Sequence, residues 1–142
     1  MQVHAHLTFN GNCREAMTFY QKCFGGKIRF QTVGESPGSA HLSKRMKACI
    51  VHATLSRNGF VLMGSDMVSD FGLIKGNAVT LSVSCESESE IWTVYRKLSV
   101  GGEKNHSLHT NSSGGLVGEV TDKFGNHWIL VCDQPEEVRK EG

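Results

Sequence analysis

Histidine and hydroxyl side chains recur at every second residue in three short stretches of the sequence. Alternate side chains of a β-strand point to the same face, so each stretch predicts one polar strand face. Imidazoles and hydroxyls hydrogen-bond polar molecules, and an imidazole can also move a proton or ligate a metal ion. The sequence therefore predicts a cavity that binds a small polar molecule. Its predicted lining is His4, His6, His52, Thr54, Thr80 and Ser82, and Thr8 shares the strand face of His4 and His6.

Two further residues have side chains that could do chemistry. Asp66 ends a predicted strand, where its carboxylate is either a ligand-facing group or general base, or a hydrogen-bond acceptor for the next turn. Cys13 lies in the first turn of a predicted helix, where the helix dipole would lower the pKa of the thiol. The alternative for Cys13 is a small apolar side chain that fills the interface between helix and sheet.

The elements that position these residues are predicted from an internal repeat. Residues 7–27 resemble residues 81–103, and residues 58–66 resemble residues 125–133 more faintly. Each copy reads as a strand, a helix and three strands, which predicts an α+β fold of two βαβββ modules in one domain. The predicted parts are module one at 1–66, a linker at 67–77, module two at 78–133 and a polar tail at 134–142.

Capping signals give the helix bounds. Asn12 followed by Glu15, and Ser87 followed by Glu90, predict the two helix starts, and Gly25 and Gly101 predict the stops. Alternation and turn residues predict the strands. The predicted strands are 3–9, 28–33, 49–56, 60–64, 78–84, 104–108, 116–121 and 127–132. Segments 34–47 and 67–77 are predicted loops, either solvated connections or covers of a cavity mouth.

Composition excludes several function classes. The 142 residues carry 15 Lys+Arg against 14 Asp+Glu, a net charge of +1, which disfavours nucleic acid as a partner. No apolar run is long enough to span a membrane, and the N-terminus lacks the pattern of a signal peptide, so we expect a cytoplasmic protein without a membrane partner. The five cysteines lack C-x-x-C spacing, as expected of reduced thiols.

Several short motifs, in order along the chain, resemble one protein family. They are LTFNGNCREA at 7–16, FY at 19–20, FGG at 24–26, HA at 52–53, MGSD at 63–66 and TDKFG at 121–125. Together with the repeat they resemble the PhnB-like branch of the vicinal oxygen chelate superfamily, which contains glyoxalases, bleomycin resistance proteins and dioxygenases. One departure is NSSGG at 111–115, where PhnB-like chains usually carry Trp-Gly. Such families are often labelled demethylubiquinone methyltransferases. The sequence argues against that activity, because a nucleotide-type methyl donor normally binds a glycine-rich strand-to-helix turn and no G-x-G-x-x-G follows a strand here.

The resemblance also implies where a metal ion would be bound. Metal-dependent relatives use one residue from the first and last strand of each module, at positions that correspond to His4, Leu62 or Met63, Ala78 and Ile129. Three of these four cannot ligate a hard or borderline cation, so we expect no metal at these positions and no cofactor. His4 and His6 lie about 7 Å apart along a strand, too far apart to share an ion without a bend.

Two functions follow as hypotheses. The first is a metal-free protein that encloses a small polar organic molecule, as the bleomycin resistance proteins do. The alternative is an enzyme of the glyoxalase or dioxygenase type, a lyase, isomerase or oxidoreductase, that uses His4, His52 and Asp66 as acid-base groups or has a rearranged divalent-metal site. The resemblance further implies a homodimer, because the superfamily commonly pairs modules between chains.

Overall fold

Each half of the chain folds as a four-stranded β-sheet with one long helix on one of its faces. A computed structural model describes residues 1–66 and 72–133. Contacts divide the chain into two compact units, Met1–Ile74 and Lys75–Gly142. None of the described helices is long and apolar enough to cross a membrane. The predicted polar tail and part of the predicted linker, residues 67–71, lie outside the described residues.

The described residues of the first unit form four strands and two α-helices. Its sheet has the order β1-β4-β3-β2, in which β1 and β4 are parallel and the other neighbours are antiparallel. The side chains that face helix α1 include Phe9, Leu55 and Leu62, which are buried. Gly64 keeps α1 close to the sheet, because a Cβ there would lie 3.1 Å from the Met17 sulfur. The elements are β1 Ala5–Phe9, α1 Cys13–Phe24, β2 Lys27–Thr32, a 3-10 turn Val33–Glu35, α2 Lys44–Ala48, β3 Ile50–Arg57 and β4 Phe60–Asp66.

The second unit repeats this topology with the strand order β5-β8-β7-β6, and β5 and β8 are its parallel pair. Trp128 and Leu130 of β8 are buried on the side that carries the helix. The prediction of an α+β fold with two βαβββ modules is confirmed. The elements are β5 Leu81–Cys85, α3 Glu88–Leu98, β6 Glu103–Thr110, β7 Leu116–Thr121 and β8 His127–Cys132.

The two helix starts are capped in different ways. Ser87 caps α3 as predicted, since its Oγ accepts a hydrogen bond from the Glu90 amide at 3.0 Å. The predicted start of α1 at Asn12 is confirmed, but the Asn12 side chain makes no capping hydrogen bond. The Asp66 carboxylate, 53 residues away, accepts the Cys13 amide at 2.9 Å instead. Capping signals in a sequence lie next to the helix, whereas this acceptor is at the end of β4.

Several element ends differ from prediction. Strands β1 and β5 begin at Ala5 and Leu81, and the preceding Val3 and Val79 are 92% and 72% exposed, so they belong to no core. Helix α3 ends at Leu98, three residues before Gly101, and Ser99 Oγ donates to the Tyr95 carbonyl at 2.7 Å. Segment 34–47, predicted as a loop, contains most of a short helix, Lys44–Ala48.

Candidate functional site

The side of the first sheet opposite α1, here called the open face, is predominantly polar. Cross-strand register places Arg29 beside Thr54, Thr54 beside Met63, and Met63 beside His6. Gln31 is in turn the neighbour of His52. The alternation that buries the helix side thus lines up polar side chains on the other side. The open face consists of His6, Thr8, Lys27, Arg29, Gln31, His52, Thr54, Ser56, Val61, Met63 and Ser65.

Two imidazole rings lie next to each other on the open face. The ring centroids of His6 and His52 are 6.3 Å apart, and the rings are inclined by 37°. Nε2 of His6 lies 2.9 Å from the Ser65 hydroxyl, and Nε2 of His52 lies 2.9 Å from the Thr54 hydroxyl. The structure therefore brings together three predicted site residues, His6, His52 and Thr54. Ser65, which the sequence reading did not select, completes the hydrogen-bonded group.

The other sequence-selected residues are distributed differently. His4 precedes β1 and is exposed, while Thr8 is half-buried on the open face. Thr80 and Ser82 belong to the second unit, so their place in a shared cavity stays a prediction.

Asp66 lies on the helix side of the first sheet, opposite the open face. It is the register neighbour of the buried Phe9. Its Oδ1 accepts the Cys13 amide at 2.9 Å, and its Oδ2 accepts the Ile50 amide at 2.8 Å. With both oxygens committed to backbone donors, the Asp66 carboxylate joins α1, β3 and β4. This geometry matches the role of a hydrogen-bond acceptor for backbone amides rather than that of a ligand-facing group or general base.

Cys13 packs in the core of the first unit. Its side chain is fully buried, and burial, followed by the nearby Asp66 carboxylate, raises the pKa of the thiol from 9.0 to about 12. The expectation that the helix dipole would lower this pKa is wrong, because desolvation of a thiolate outweighs the dipole here. The Cys13 thiol is therefore protonated at neutral pH.

The second unit has a small polar cavity of its own, about 180 Å³ in volume. Thr121 Oγ1 donates to Asn105 Oδ1 at 2.7 Å and lies 2.9 Å from Nδ1 of His127. His106 Nε2 lies 3.1 Å from the Glu119 carboxylate. Of the residues that line this cavity, Thr80 is the one selected as a candidate from the sequence, although the polar residues at both ends of the hairpin turn 122–126 were a usable signal. The lining is Asn77, Thr80, Asn105, Glu119, Val120, His127 and Trp128.

The four positions implied by metal-dependent relatives do not present a ligand set. Of the two alternatives, Leu62 is 3% exposed on the helix side of β4, and Met63 lies on the open face. Ala78 is exposed before β5, and Ile129 is the register neighbour of Ser82. Within residues 1–66 and 72–133, no three or more His, Cys, Asp or Glu side chains are grouped as a metal site.

Comparisons with known proteins agree with this fold. A family model described as 3-demethylubiquinone-9 3-methyltransferase matches residues 1–131. Protein YjdN of Escherichia coli K12 is 28% identical, over 96% of this chain and all of YjdN. The crystal structure of PA1353 from Pseudomonas aeruginosa has a TM-score of 0.80 and 32% identity, and the match covers 95% of this chain and 99% of PA1353.

Two more solved structures extend the comparison. A PhnB protein from Bacillus cereus, whose name also refers to 3-demethylubiquinone-9 3-methyltransferase, has a TM-score of 0.70 and 29% identity, covering 93% of this chain and 99% of its own. A glyoxalase/bleomycin resistance protein/dioxygenase family enzyme from Burkholderia phytofirmans PsJN has a TM-score of 0.63 and 12% identity, covering 92% and 97%. The latter similarity shows the shared fold alone.

Proposed function

This chain belongs to the 3-demethylubiquinone-9 3-methyltransferase family, the PhnB-like branch of the vicinal oxygen chelate superfamily, and we propose that it binds a small polar organic molecule on the open face of its first sheet. The binding needs no metal ion. The observation that carries the proposal is the group formed by His6, His52, Thr54 and Ser65. Their hydrogen bonds orient both rings before a ligand arrives, which lowers the entropy lost on binding.

Each ring keeps hydrogen-bonding capacity for a ligand. Nε2 of His6 and Nε2 of His52 are each engaged by a hydroxyl. Within the described part of the chain, Nδ1 of either ring has no hydrogen-bond partner. A neutral imidazole has one donor and one acceptor nitrogen, so these two Nδ1 atoms are available to a hydroxyl, amide or carboxyl group. The half-buried Met63 beside His6 adds an apolar surface for the body of such a molecule.

The proposal is tested by a small-molecule screen with ligand-observed NMR on protein purified without a metal-chelating tag. We expect hits whose affinity falls about tenfold in His52→Ala, the size expected for one lost hydrogen bond in a part-buried site. The matched control is His41→Ala, which removes an exposed imidazole outside the sheets. Thr80→Val tests whether the second unit contributes. Hits that bind His52→Ala and the unaltered protein equally well would contradict the proposal.

A second candidate function is an enzyme with a rearranged divalent-metal site. The observation that favours it is the 6.3 Å separation of the His6 and His52 ring centroids. Two imidazoles that share one ion have centroids about 5–6.5 Å apart, given nitrogen-metal distances of about 2.0–2.1 Å. Water or substrate atoms would have to supply the other ligands. Elemental analysis discriminates the two functions, because this candidate requires stoichiometric metal that disappears in His6→Ala.

A further inference from the structure

Charge is unevenly divided between the two units, although the whole chain is nearly neutral. Residues 1–74 contain 8 Lys and Arg against 4 Asp and Glu, whereas residues 75–142 contain 7 against 10. The open face of the first sheet shares this bias, since it carries Lys27 and Arg29 and no carboxylate. Neither Lys27 nor Arg29 has an ion-pair partner among the residues that the structure describes. An excess of positive charge of this kind favours the binding of anions.

A cavity of about 520 Å³ lies at the end of the first sheet that adjoins the β3–β4 hairpin, and residues from both sides of the sheet line it. Lys27, Ser56 and Val61 are register neighbours across three strands and line it together. Arg57 and Asn58 also belong to its lining, which includes no acidic residue. We propose that this cavity binds an oxyanion, the carboxylate or phosphate group of a small molecule. Lys27, Ser56 and Asn58 supply the donors, and Arg57 adds positive charge from the helix side of the sheet.

Arg57 is held in place for this role. Its Nη1 donates to the Phe24 carbonyl at 2.7 Å, which fixes the guanidinium against the end of α1. The remaining guanidinium N–H groups keep the fork geometry that suits carboxylate and phosphate oxygens. A positioned cation loses less side-chain entropy on binding an anion than a free one does. Arg57 thus adds a fixed positive charge at this end of the sheet.

The backbone around this cavity is closely packed and tightly turned. A Cβ at Gly26 would lie 2.6 Å from the Ser56 carbonyl oxygen, so only glycine permits this approach of β2 to β3. Asn58 and Gly59 both have positive φ, as a tight two-residue hairpin turn requires. Short connections of this kind restrict where the donors of Ser56 and Asn58 can move.

The test is an NMR titration of backbone amides with inorganic phosphate and, separately, with malonate, at constant ionic strength. We expect saturable shifts at Asn58 and Gly59, and a dissociation constant that rises about fivefold in Lys27→Gln, which loses one partly screened charge-assisted contact. Arg29→Gln is the control, because it removes a cation from the same face outside the cavity lining. That variant should change the affinity less than twofold.

The two probes distinguish the sources of the anion, and a response to either one supports the site. Tighter phosphate binding identifies phosphate esters, and tighter malonate binding identifies carboxylic acids. Amide chemical-shift changes that rise linearly with the concentration of both anions, without saturation, would overturn the proposal. Equal anion affinity in Lys27→Gln and the unaltered protein would overturn it too. This inference does not rest on the histidine pair, so a loss of ligand in His52→Ala and a loss of anion in Lys27→Gln are separate results.

Discussion

The Cys13 thiol makes stability fall at alkaline pH. Its pKa is raised to about 12 in the folded protein, chiefly by burial, against 9.0 for an ordinary thiol. Above pH 9 the unfolded chain loses this proton while the folded chain keeps it, so the free energy of unfolding falls by about 1.4 kcal/mol per pH unit up to the folded pKa. Below pH 9 the thiol is protonated in both the folded and the unfolded chain, so it does not lower the free energy of unfolding.

Urea unfolding between pH 7 and 10.5 measures this effect. We expect a steep loss of stability above pH 9 in the unaltered protein and a shallower one in Cys13→Ala, in which the packing cost is the same at every pH. Burial is the main cause that raises the pKa of Cys85 to about 11, so part of the loss of stability above pH 9 remains in Cys13→Ala. Equal slopes in the two proteins would contradict the assignment.

Tyr95 carries a buried hydroxyl that contributes no stability. The ring is 4% exposed on α3, and its OH has no hydrogen-bond partner among the residues described. A buried polar group without a partner costs about 1–3 kcal/mol relative to its hydrated state. Tyr95→Phe is therefore expected to leave the melting temperature unchanged or raise it. A destabilisation of more than about 1 kcal/mol, the net value of a typical hydrogen bond, would show that the hydroxyl is bonded.

At the scale of elements, Asp66 joins three segments that are distant in the chain. Its carboxylate accepts the Cys13 amide at the start of α1 and the Ile50 amide at the start of β3. Asp66→Asn leaves one oxygen and one amide nitrogen, so one backbone donor loses its acceptor, which should cost about 1–3 kcal/mol. Ser87→Ala on α3 is the matched comparison, since it removes a local cap worth about 1 kcal/mol.

Denaturant unfolding of both variants gives the comparison. We expect Asp66→Asn to be the more destabilising change, because the bonds that it weakens link three elements of the first unit. If Asp66→Asn costs less than Ser87→Ala, the Asp66 bonds are not important to the fold.

The sequence predicts local features of this fold better than long-range ones. The Ser87 cap and the Asn58-Gly59 turn are encoded within four residues, and both form as predicted, although Glu90 accepts the Glu86 amide and not the Ser87 amide. The cap supplied by Asp66 spans 53 residues and depends on the register of β4 against β1, which no local pattern encodes. Alternation identified His6 and His52 separately but could not give their 6.3 Å distance, since that requires the strand order.

At the scale of the molecule, we propose a homodimer. The edge strands β1 and β5 are each preceded by an exposed valine, Val3 and Val79, which a second copy would shield. The opposite net charges of the two units favour contact between unlike units of different chains.

Sedimentation equilibrium at micromolar concentration should give twice the chain mass of 15.6 kDa. Raising NaCl from about 50 to 500 mM should weaken the dimer several-fold, because salt screens attraction between exposed charges. A mass near 15.6 kDa at low salt would contradict the homodimer, and a dimer insensitive to salt would exclude the charge argument.

The central claim is that the histidine pair on the open face binds a small polar molecule without a metal ion. The most direct measurement is calorimetric titration of the best screening hit with EDTA present, in the unaltered protein, His52→Ala and His41→Ala. We predict equal affinity in the unaltered protein and His41→Ala, and an affinity about tenfold weaker in His52→Ala. Binding that EDTA abolishes, or affinity that His52→Ala leaves unchanged, would contradict the claim.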